Sequence, residues 1–104
     1  MKTPIRVEPF SASEILLAWT DGQAFAIPYV ELRFLCPCAS CVDEHSGQRT
    51  IRRESIAPGI RTTSVQTVGR YALQISFSDG HSTGIFPYEK LLQICEKMGR
   101  LIHA

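Results

Sequence analysis

Three thiols fall within six residues, Cys36-Pro37-Cys38-Ala39-Ser40-Cys41, and no other stretch of the chain constrains its fold as tightly. Buried structural cysteines have no packing reason to crowd beside a proline. In a short secreted chain the cluster would read as a disulfide framework, but Met1-Lys2-Thr3-Pro4-Ile5-Arg6-Val7-Glu8-Pro9 lacks the apolar core of a secretion signal. Reduced thiols in a cytoplasmic protein are therefore expected. Cys36 and Cys38 can project to one side of an extended segment, and the step to Cys41 turns a third sulfur toward them around a tetrahedral ion. Zn²⁺ held by three thiolates needs a fourth donor, and an imidazole would close a structural site. His45, four residues past Cys41, would close it within one short loop. His81 would instead clip the loop to a distant segment, where a cross-link restricts the unfolded chain more. A redox disulfide within the cluster and unliganded thiols are the bland alternatives.

At 104 residues and 44% apolar composition the chain fits one small domain, spanning residues 1–104, near the size at which an added staple helps. Eleven basic and ten acidic residues give a net charge of +1. That balance argues against sequence-independent nucleic-acid binding, and no segment approaches the length of a membrane span.

Asp21-Gly22 between Ile15–Trp19 and Ala24–Ile27 is a hairpin signal. Pro28 then suits the first position of a helix of about two turns, with Val30, Leu32, Phe34 and Leu35 on its apolar face, ended by Pro37. Residues 42–62 show no sustained period and read as a long, basic, irregular connection. Tyr71, Leu73, Ile75 and Phe77 alternate with smaller or polar residues as in a half-buried strand, and Ser78-Asp79-Gly80-His81 turns it back. Pro87 opens a second helix with Tyr88, Leu91, Leu92, Cys95 and Met98 on one stripe, closed by Gly99 and Arg100. Cys95 reads as a core thiol on that stripe and His103 as a frayed terminal side chain. The arginines from Arg49 to Arg53 read as a solvated face that would offset the negative charge of a three-thiolate zinc site.

The run Trp19-Thr20-Asp21-Gly22-Gln23 through Pro28-Tyr29 matches Phe77-Ser78-Asp79-Gly80-His81 through Pro87-Tyr88, with His81 in the place of Gln23. The expected architecture is α+β: a single domain of antiparallel hairpins with two helices, built as a pseudo-duplicated ββα unit around one core, with a zinc-bound cysteine loop.

Trp19-Thr20-Asp21-Gly22, Leu32-Arg33, the cysteine segment through Glu44, Gly69-Arg70-Tyr71-Ala72 and Ser78-Asp79-Gly80-His81-Ser82-Thr83-Gly84-Ile85 together resemble the gamma-butyrobetaine hydroxylase-like N-terminal domain family, long catalogued as a domain of unknown function. The resemblance implies a zinc site with Cys36, Cys38, Cys41 and His81 as ligands, and it leaves His45 at a variable position. Family hydroxylases carry this module ahead of a large iron- and 2-oxoglutarate-dependent barrel. This sequence has neither that barrel nor a His-x-Asp or His-x-Glu pair, so hydroxylase activity is not expected. Other relatives are fused to P-loop ATPases with iron–sulfur clusters, although no Gly-x-x-x-x-Gly-Lys-Ser/Thr motif occurs here. The implied role is a non-catalytic zinc module serving a protein partner, with an accessory role in iron–sulfur or metal handling as its specific form. The alternatives are a carrier of iron or an iron–sulfur cluster on the same cysteines and a thiol-based redox enzyme. A homodimer is compatible with all three.

Overall fold

The structure, a computed structural model, describes residues 3–36, 52–81 and 84–103. Cys38, Cys41, His45 and Arg49 lie outside the described residues.

The first half is a three-stranded meander and a helix: β1 (Pro4–Pro9), β2 (Glu14–Trp19), β3 (Ala24–Pro28) and α1 (Tyr29–Phe34). The second half repeats that order with β4 (Thr62–Val68), β5 (Ala72–Phe77), β6 (Gly84–Pro87) and α2 (Tyr88–Met98). A final strand, β7 (Arg100–His103), returns to the first half, so the two antiparallel sheets run β1-β2-β3-β7 and β4-β5-β6. The repeated unit is thus βββα rather than the expected ββα.

The duplication extends to the turns. Gly22 and Gly80 sit at φ +90° and +88°, in the left-handed region that favours glycine. The amides of Trp19 and Phe77 each donate to the carbonyl four residues on, that of Gln23 and of His81 respectively, both at 2.8 Å. Asp21 and Asp79 each accept from the amide two residues on, at 3.0 Å, the Asx-turn geometry for which aspartate is suited. Pro28 and Pro87, both at φ −58°, are the N-caps of their helices, so each helix begins one residue later than its proline.

One core serves both halves. Ile15, Leu17 and Trp19 point inward from β2, and Leu73, Ile75 and Phe77 from β5, by the two-residue period of a strand. Leu32 of α1 and Leu91 of α2 complete the layer. Several expected faces shift. Ala72 is buried while Tyr71 is 59% exposed, because β5 begins at Ala72, one residue past the Gly69–Tyr71 turn. On α2 Ile94 packs inward and Met98, at the last turn, is exposed. Within the connection read as irregular, Arg53–Ser55 forms a 3-10 turn and Ile56 and Ile60 enter the core. The backbone of His103, at the end of β7, pairs with that of Ala24 in β3.

Cys95 lies in the core, as its place on the stripe implied, next to Trp19. The Trp19 Nε1 is buried with no hydrogen-bond partner among the described residues, and the sulfur beside it is only a weak acceptor. Burial pushes the Cys95 thiol up to about 11, with Glu96 adding to the rise and Trp19 opposing it. A raised folded value means stability that is complete below the ordinary value of 9.0 and is lost as pH rises toward 11. Two units correspond to roughly 3 kcal/mol. Urea unfolding of wild type should therefore weaken between those pH values by ~2–3 kcal/mol more than unfolding of Cys95→Ala. Equal slopes for the two proteins would show that Cys95 ionises as easily folded as unfolded.

Candidate metal centre

Cys36 lies two residues past the end of α1, where its amide donates to the Arg33 carbonyl at 3.2 Å. The residue is fully buried. His81 closes the β5–β6 turn through the Asp79 and Phe77 hydrogen bonds of that turn. These two segments meet: Cys36 Sγ lies 3.1 Å from His81 Nε2, although 45 residues separate them in the chain. Two ligands of one tetrahedral Zn²⁺, with bonds near 2.3 Å to sulfur and 2.05 Å to nitrogen, stand roughly 3.6 Å apart, so the pair needs to open by only about half an ångström to share an ion.

The pair sits in a held frame. Arg33 Nε donates to Asp79 Oδ2 at 2.9 Å, joining the same helix to the same turn. Arg33 is 8% exposed, and its guanidinium lies 5.8 Å from the centre of the Phe77 ring. Burial alone would raise the Asp79 carboxyl, but the His81 amide, Arg33 and the His81 ring hold it below the usual carboxylate value. On the other side, a Cβ on Gly84 would stand 3.2 Å from Cys36 Sγ, so glycine leaves the room in which the sulfur rests. Arg53, expected on a solvated face, pairs with Glu31 at 2.9 Å and stacks 4.4 Å from the Phe34 ring centre, pinning the 3-10 turn to α1.

Among the described residues no group of three or more His, Cys, Asp or Glu side chains converges on a point. Of the four expected ligands, Cys36 and His81 are described and adjacent. Nothing in the sequence marks Arg33 and Asp79 as site residues. Their pairing has no local sequence signal, because it joins positions 46 apart.

The chain is thus a duplicated α+β domain that brings a cysteine past its first helix onto a histidine in its second Asp-Gly turn. The model of a family described as gamma-butyrobetaine hydroxylase-like, N-terminal, matches residues 10–92, and the chain belongs to this family. It is 25% identical over 85 residues to gamma-butyrobetaine dioxygenase of Pseudomonas sp. (strain AK-1), covering 82% of this chain but only 22% of that protein. Among solved structures, a protein of unknown function of the DUF971 family from Acidithiobacillus ferrooxidans ATCC 23270 is similar at TM-score 0.64 and 33% identity, with 88% of this chain and 90% of that one covered. A protein solved by NMR in solution shares the fold at TM-score 0.70 and 18% identity, over 90% of this chain and 69% of that one.

Proposed function

We propose that the domain is a non-catalytic zinc-binding module, in which Cys36, Cys38, Cys41 and His81 hold one Zn²⁺ and the folded surface serves a protein partner. The observation that carries this reading is the 3.1 Å approach of Cys36 Sγ to His81 Nε2 across the chain. A thiolate and an imidazole are two donors zinc favours, and Cys38 and Cys41 follow Cys36 at a spacing that lets one short loop supply the remaining two. Bound zinc would supply a cross-link between α1 and the β5–β6 turn rather than a reaction centre. The match to a dioxygenase over 22% of its length accords with a module that leaves hydroxylation to another domain.

Metal analysis and a visible absorption spectrum of aerobically purified protein test this. One zinc per chain and no colour is the expected result. Iron with sulfide and a brown colour would replace the reading with a cluster carrier in the service of iron–sulfur handling. A folded, metal-free protein with a low-pKa thiol would replace it with thiol redox chemistry.

A further inference from the structure

Edge strands of the two sheets, β1 of the first and β4 of the second, face each other across a cleft. Val7, Glu8 and Pro9 line one wall and Thr62–Val65 the other, enclosing about 330 Å³. Past Pro9, Thr62 and Thr63 the cleft continues into a second hollow of about 330 Å³, bounded by Ser11, Tyr29, Arg61 and Ser78. Among the described residues each strand pairs on one side only, β1 with β2 and β4 with β5.

The two edges are protected differently. β1 has a proline at each end and carries Arg6 and Glu8, which are features that discourage strand pairing. β4 reads Thr-Thr-Ser-Val-Gln-Thr-Val, seven residues with neither a charge nor a proline, and Thr63, Ser64, Gln66 and Thr67 are exposed. Along it, alternate N–H and C=O groups point away from β5, the template that an added strand uses.

The charges say what such a strand would bring. Glu8 is paired with Arg6 at 2.7 Å. Arg61 is exposed in the second hollow, and among the described residues no carboxylate lies within ion-pair distance of it. Its backbone is fixed, since its amide donates to Ser78 Oγ at 2.9 Å and its carbonyl accepts from the Ser78 amide at 2.8 Å. A second copy of this chain fits poorly. Antiparallel pairing of two β4 strands about Val65 sets Arg61 of each copy opposite Gly69 of the other, and no acidic residue lies between Arg61 and Tyr71 to meet its charge.

We propose that the β1–β4 cleft receives an extended segment of a partner protein, which adds to the β4 edge and places a carboxylate on Arg61. Where that carboxylate is the segment's own C-terminus, the added strand runs antiparallel to β4, because Arg61 precedes β4 in the chain. The proposal rests on the reading of the domain as a module for a protein partner and supplies the partner's chemistry.

A library of random heptapeptides displayed with free C-termini, selected against the full metal-loaded chain, provides the probe. The most enriched peptide is then synthesised as free acid and as amide. Its addition should shift the amide resonances of Thr62–Val68, Val7 and Glu8. Arg61→Met should weaken the free acid roughly 10- to 100-fold, the range for losing a charge-assisted contact. Loss of binding by the amide supports a C-terminal carboxylate, whereas equal binding of acid and amide, both weakened by Arg61→Met, supports an acidic side chain. No enrichment, shifts confined to other elements, or indifference to Arg61→Met would overturn the proposal. Metal content measured on the same samples keeps the two readings apart, since a single bound zinc with no peptide at β4 fails only this one.

Discussion

His81→Ala is expected to release zinc and lower the melting temperature together, and His45→Ala to do neither. In the proposed zinc site the imidazole is the donor that would tie the β5–β6 turn to Cys36, two residues past α1, so its loss would open a coordination position and cut the long-range clip. Structural zinc contributes on the order of 10 kcal/mol in small peptides that depend on it wholly. This domain has a core of its own. A loss of ~2–4 kcal/mol is the expected share, or roughly 10–30 °C at the 4–8 °C per kcal/mol of a domain this size. The turn itself should survive, because the amide of residue 81 still donates to Asp79 and its carbonyl still accepts from Phe77. Calorimetry and zinc titration of the two variants check this. Cadmium-substituted protein adds a readout that mere destabilisation would not move, a changed cadmium resonance on loss of a nitrogen donor. Unchanged affinity in His81→Ala with losses in His45→Ala would confine the site to residues 36–45.

The second large effect belongs to the core. Trp19→Ala should cost ~3–5 kcal/mol, the range for deleting a large buried aromatic, against the 5–15 kcal/mol total typical of a domain. Trp19 is fully buried at the end of β2, and the residue in the equivalent place of β5 is the equally enclosed Phe77. Trp19→Phe is the informative comparison. It keeps most of the ring and removes a buried N–H that has no partner among the described residues, so it should cost ~1 kcal/mol. Circular dichroism in urea measures both, since the single tryptophan is lost as a fluorophore in each. A cost for Trp19→Phe as large as that for Trp19→Ala would mean that the indole N–H is satisfied after all.

What could be read from the sequence is what local chemistry writes there. Asp-Gly turns and helix-opening prolines are short-range signals, and both hairpins and both helices stand where those residues put them. β1, β4 and β7 have no such signature. Each is an edge strand: β1 is framed by prolines, β7 has four residues, and β4 is half-buried only at every third position, so none shows clean alternation. The site divides in the same way. Cys36 and His81 belong to visible motifs, whereas the Arg33–Asp79 pair that holds their frame joins two ordinary charged residues, and only the fold makes them neighbours.

β7 bears on the order in which the chain assembles. Pairing of Phe25 with Leu101 and of Ala26 with Arg100 spans most of the sequence. During synthesis the first unit can therefore collapse long before its own sheet is complete, leaving β3 with one open edge. Contacts of such high sequence separation slow folding, because loop entropy is spent before they form. The second unit has to fold and deliver α2 before that edge closes, so truncations that stop short of Arg100 should expose β3, and a nascent chain is most prone to aggregate in that interval.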